Sequence, residues 1–107
     1  AINLCMNKDY QVVVQKPDKQ TSSTEKSPYY ISLMHELIHI RHWLLERSFK
    51  ADNPREVLSF TNEDEKVAIT GHLNGKEEDH ISENAIRDEF NFMPRISHEA
   101  YKVCYYS

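Results

Sequence analysis

At 107 residues, 39% hydrophobic and 28% charged, the chain has room for one small domain with a modest core. A net charge of −4 with scattered basic residues argues against nucleic acid, and only two glycines leave no material for a glycine-rich phosphate cradle. No apolar run approaches the roughly 20 residues of a membrane span, so no membrane partner is expected. No secretory leader is visible either. The chain opens Ala1-Ile2-Asn3 without Met, which fits an excised or truncated piece that has lost its targeting signals. Cys5 and Cys104 lie near opposite ends. Spacing cannot say whether they pair, and the compartment rule favours free thiols in a chain of this character.

In chain order, Tyr10 to Gln15 is rich in β-branched residues and reads as a strand. Ile2 to Met6 is a possible partner strand, with Asn7-Lys8-Asp9 as the turn of a short N-terminal β-hairpin. Such an edge could hold an extended peptide by strand addition, or it could simply be core. Residues 16 to 27 read as a polar loop opened by Pro17. Ser27 is the candidate N-cap of the main helix, with Pro28 at its first position. That helix is expected to run to about Phe49. Ile31, Met34, Leu37, Ile38, Trp43, Leu44 and Leu45 spread around it, which predicts burial over most of its circumference. Asp52-Asn53-Pro54 stops it. Thr61 or Asn62 caps a second helix with acidic residues in its first turn, and Gly71 ends it. Residues 72 to 80 read as a charged, mobile loop. A third helix spans Ile81 to Phe90, with Ser82 as cap and Pro94 beyond its end. The aromatic tail from Arg95 is placed against the core. The reading is one α+β domain, mainly helical, with no repeat.

The main helix carries His35-Glu36-Leu37-Ile38-His39. Histidines four apart project from one helical face, one turn above the other, which lets two imidazoles reach one tetrahedral Zn²⁺. Glu36 sits beside His35, where it can act on a metal-bound water without being a ligand. The pattern is short and recurs by chance. It gains weight here because it lies in a capped, apolar helical segment. His42 is a poor third ligand, since it lies about 10.5 Å along the axis from His35. A carboxylate from the second helix is the better source, with Glu65 the first choice and Glu63 the second. The plainer role for Glu63, Asp64 and Glu65 is to complement the helix dipole. Peptide hydrolysis also needs a donor for the developing oxyanion. Tyr101, Arg87, Arg95 and His98 are the candidates, with Tyr101 placed first.

The motif at 35 to 39, the acidic segment closing in Ala68-Ile69-Thr70-Gly71, the block Ser82-Glu83-Asn84-Ala85-Ile86-Arg87-Asp88-Glu89-Phe90, and Pro94-Arg95 leading towards Tyr101 together resemble the NleD-like zinc metalloprotease effectors. The resemblance covers roughly residues 30 to 101, in the family's order. It implies a zincin-like domain with His35 and His39 as zinc ligands, Glu36 as general base and a further acidic ligand among residues 63 to 65. Glu83, Asn84 and Arg87 match a block of the family to which no chemical role is assigned; an Asn-Arg-carboxylate network bracing the metal helix would suit them. The expected activity is a monomeric zinc endopeptidase, secreted by a bacterium and translocated into the host cytoplasm, where it cleaves a host protein. The chain departs from the family before the glycine, where its acidic segment is one residue longer. The alternative is a non-catalytic, zinc-stabilised module that binds a host protein. A third is a pseudo-enzyme or a toxin acting on a non-peptide amide.

Overall fold

The structure, a computed structural model, describes residues 10–15 and 22–102. It is α+β, with a three-stranded antiparallel sheet of order β2-β1-β5 beside a helical layer. Strand β1 (Tyr10–Gln15) turns Val12 and Val14 into the core, at 2% and 0% exposure. This period-2 pattern is what a strand with one buried face requires. Strand β2 (Ser22–Ser27) corrects the expected loop: it pairs with β1 from Tyr10↔Ser27 to Gln15↔Ser22. Thr24, Glu25 and Lys26 are exposed on it, so no apolar pattern marks it and backbone pairing makes the strand. Because β1 is central, the outer strands among the described residues are β2 and β5 (Arg95–Lys102). Ile2 to Met6, Cys5 and Cys104 lie outside the described residues.

Helix α1 (Tyr29–Leu44) starts after Pro28, which makes no side-chain cap bond. The expected cap, Ser27, is buried and accepts a hydrogen bond from Arg87 Nη1 at 2.9 Å. The helix stops at Leu44, short of Phe49. Glu46 takes a left-handed φ of 54°, Glu46 N–H reaches Trp43 O, and Arg47 N–H reaches back to His42 O. That is a glycine-type stop made without glycine, hence invisible in composition. The predicted all-round burial is also corrected. Ile31, His35, Ile38 and His42 form the buried line, while Leu33, Leu37, Ile40, Trp43 and Leu44 are exposed.

A 3₁₀ helix (Pro54–Phe60) follows, capped by Asn53, whose side chain accepts from Arg55 N–H. Helix α2 (Glu63–Thr70) is capped by Asn62 and closed by Gly71 at φ 76°, as read from sequence. A Cβ on Gly71 would lie 2.6 Å from Asp79 O, so the residue also permits a close backbone approach. There Gly71 O accepts from Glu78 N–H and Asp79 N–H. The expected loop at 72 to 80 contains a hairpin, β3 (His72–Leu73) and β4 (Lys76–Glu77), turned by Asn74-Gly75, both at positive φ. Helix α3 (Glu83–Glu89) is capped by Ser82. Asn84 then binds both the N–H and the C=O of Arg95, tying α3 to the start of β5.

Strand β5 is irregular at one place. Val12 pairs with Ala100 but Val14 pairs with Arg95, so one β1 residue stands against four on β5, residues 96–99. This bulge leaves the ladder and turns towards the helices.

Candidate metal centre

Helix α1 supplies His35 and His39, and helix α2 crosses so that Glu65 meets both. His35 Nε2 and His39 Nε2 lie 3.0 Å apart. Glu65 Oε2 is 3.0 Å from His35 Nε2, and Oε1 is 3.0 Å from His39 Nε2. A tetrahedral ion with bonds near 2.1 Å sets its donors roughly 3.4 Å apart, so this set could take one after opening by a few tenths of an ångström. The three acidic residues of α2 divide their labour. Glu65 faces the histidines, Asp64 stands behind them, and Glu63 accepts from Ala51 N–H at 3.3 Å, away from the cluster.

Both imidazoles are braced on the far nitrogen. His35 Nδ1–H donates to Glu83 Oε1 at 2.7 Å, and His39 Nδ1–H donates to Asp64 Oδ2 at 2.7 Å. A carboxylate on Nδ1 fixes the ring and leaves Nε2 turned towards Glu65. Glu83 is itself held by Arg95 Nη1 at 2.8 Å, and its other oxygen faces Arg87 Nη1 at 3.6 Å. Asn84 does not touch Glu83 in this network and instead fixes the backbone of Arg95. Asp64 is held by His42 Nδ1 at 2.8 Å, and His42 Nε2 lies 3.0 Å from Asp79, which also binds Arg41. His42 therefore supports Asp64 from outside the His35–His39–Glu65 cluster. His39, His42 and Asp64 also lie close enough together for an ion. Both of these histidines are already hydrogen-bonded through Nδ1 to Asp64.

Glu36 is exposed on α1 beside His35. Of the oxyanion candidates, Arg87 is buried and spent on Ser27 Oγ and Met93 O. Arg95 is buried against Glu83 and the carbonyls of Ser97 and His98. Tyr101 lies on β5 with its backbone opposite Gln11, and its side chain is outside the described residues. His98 alone of Arg87, Arg95 and His98 reaches the cluster, with Nε2 3.1 Å from Glu65 Oε2 and its ring stacked on His35. Asp79 had no sequence signal, since an acid after a charged run looks like surface. A cleft of about 410 Å³ opens beside His39 and Asp64, walled in part by Trp43 and Phe49.

In metal-free protein these groups titrate against each other. Burial disfavours charge on His35, but hydrogen bonds to Glu65 and Glu83 outweigh it and raise the imidazole from 6.5 to about 9. The hydrogen bond to Glu65 likewise raises His39 against burial. Burial pushes Glu65 up, yet bonds from His35 and His39 reverse this and hold it well below the usual carboxylate range. A raised imidazole stabilises the fold below its unfolded pKa, and that stability is lost as pH rises through the folded value. A lowered carboxylate stabilises above its unfolded pKa and loses this as pH falls. Metal-free protein is thus expected to be most stable between pH 4.5 and 6.5 and to weaken by up to roughly 3 kcal/mol as pH rises through about 9. Urea unfolding in the presence of a chelator measures this. A midpoint that stays flat from 6.5 to 9.5 contradicts it.

These features make a histidine–carboxylate cluster whose donor atoms lie close enough together to hold a metal ion. Compared with known proteins, the chain matches no family model, no curated protein and no solved structure.

Proposed function

We propose that the chain is a zinc-dependent endopeptidase with a zincin-like active site. The observation that carries the reading is the mutual 3.0 Å approach of His35 Nε2, His39 Nε2 and the Glu65 carboxylate. His35, His39 and Glu65 would hold the ion. When bound, zinc supplies a Lewis acid that polarises a carbonyl and acidifies water. Glu36 is next to His35 and solvent-accessible, which suits a group that takes a proton from the attacking water and returns it to the leaving amine. The cleft beside His39 offers a place for a substrate side chain. The resemblance to NleD-like effectors supplies the rest of the proposal: a bacterial protein acting on a host protein in the host cytoplasm.

The experiment is zinc stoichiometry of the purified chain together with new N-termini in treated host lysate. Wild type is expected to hold one zinc and to cleave. Glu36→Ala is expected to keep the zinc, keep the fold and lose about 10²-fold or more in cleavage. Failure of wild type to bind zinc would sink the reading.

A second reading is favoured by the exposed apolar face of α1, where Leu33, Leu37, Ile40 and Trp43 are 48–77% accessible. Such a face suits a zinc-stabilised interaction module. That reading requires Glu36→Ala to act like wild type and zinc removal to unfold the protein.

A further inference from the structure

Three imidazoles around Glu65 share one construction. His35 Nδ1 is held by Glu83, His39 Nδ1 by Asp64, and His98 Nδ1 by Thr61 Oγ1 at 2.9 Å. Each turns its Nε2 to the same carboxylate, at 3.0, 3.0 and 3.1 Å. The rings of His35 and His98 are nearly parallel, 12° apart. We propose that His98 is an imidazole ligand of this centre: the donor atoms of His35, Glu65 and His98 lie close enough to hold one ion. This rests on the zinc reading above and goes beyond its two-histidine site.

The local structure is shaped to deliver His98. Residues 96–99 leave the β1 ladder in the bulge, and bulges re-aim side chains next to functional sites. Arg95 holds the bulge by donating from Nε to Ser97 O at 2.8 Å and from Nη2 to His98 O at 2.7 Å. Its third contact is Glu83, the carboxylate behind His35, so one guanidinium fixes two ligand positions. Ser97 Oγ ties the bulge to Ser59 O at 3.0 Å. Thr61, which orients His98, sits at φ 73°, an uncommon and costly conformation for a β-branched residue. A histidine serving only as surface does not need both ring nitrogens fixed. One serving only as core would not be 36% exposed.

The test is competition titration of the full chain with Zn²⁺ against a chromophoric chelator, together with the visible spectrum of the Co²⁺-loaded protein. His98→Ala is expected to weaken zinc binding by about 10²-fold and to shift the cobalt bands, because a nitrogen donor is lost. Thr61→Gly, which relieves the backbone and removes the orienting hydroxyl together with the methyl, is expected to weaken it by about tenfold. It carries the test if His98→Ala fails to fold by circular dichroism. Wild-type zinc affinity and an unchanged cobalt spectrum in a folded His98→Ala protein, or in Thr61→Gly where that variant stands in, overturn the proposal and leave the two-histidine site standing. Absence of zinc binding in the wild type removes both readings together.

Discussion

Zinc affinity is expected to fall by about 10³-fold in Glu65→Ala and to stay at the wild-type level in Glu63→Ala. The two residues are two apart on α2 and have the same side chain, so charge lost and helix propensity gained are matched. Geometry separates them. Both Glu65 oxygens lie 3.0 Å from an imidazole nitrogen, whereas Glu63 holds the backbone of Ala51. Protein-held zinc is worth roughly 10–16 kcal/mol near neutral pH, so one donor of three or four accounts for about 4 kcal/mol, or 10³-fold. The backbone of α2 should survive the change, because Asn62 caps it through the Glu65 N–H rather than its side chain. Chelator competition on both variants measures the contrast. Equal loss in the two would mean that the acidic turn acts as diffuse charge, and no ligand role for Glu65 would remain.

The parts of this site legible in sequence are those made by short-range rules. His35 and His39 share a face because a helix repeats every 3.6 residues. Asn62, Ser82 and Gly71 punctuate helices through their own local chemistry, and the structure uses each as read. Glu65 was legible as a carboxylate on a helix expected to pack on α1, though only coordinates select it over Glu63. Asn74-Gly75 was a local hairpin signal that the charged setting concealed. The rest was set at long range. Nothing within β2 or the Glu46 stop departs from loop or helix composition. The partners of His42 come from α2 and from the turn after Gly71, 22 and 37 residues away. His98 reaches Glu65 only because β5 loses register with β1 by several residues, which no periodicity within β5 records.

The two histidines of the α1 face are braced alike from the outside in. A carboxylate stands behind each imidazole and is itself held: Glu83, with Arg95 and Arg87 beside it, for His35, and Asp64, held by His42, which also meets Asp79 and through it Arg41, for His39. The two arms differ in burial, and this makes their failure modes different. Asp64 is 46% exposed at the side chain, so water can replace much of what it supplies. Glu83 is 1% exposed, as is Arg87, and Arg95 is 8% exposed. In that arm water cannot step in, and each member depends on the others.

Glu83→Ala is therefore expected to destabilise the fold by about 3–5 kcal/mol, the range for breaking a buried ion pair from one side. Three groups lose their partner at once: Arg95 Nη1 at 2.8 Å, Arg87 Nη1 at 3.6 Å and His35 Nδ1 at 2.7 Å. Two guanidinium charges then remain buried without a carboxylate. Burial raises the carboxyl of Glu83, but His35 and Arg95 hold it low, so the charged form is the one lost. Glu83→Gln keeps the volume and one acceptor oxygen and is expected to cost less, about 2 kcal/mol. Exposed Glu77→Ala serves as the control and should lie within about 0.5 kcal/mol of wild type. Urea unfolding in chelator separates this loss from any effect on metal binding. In zinc, the glutamine variant should also bind roughly 10- to 100-fold more weakly, because His35 loses the carboxylate that orients it. If Glu83→Ala matched the control in both measurements, the arm behind His35 would contribute neither stability nor ligand orientation. The shared role of Arg95 in holding the His98 bulge would then have to be judged apart from it.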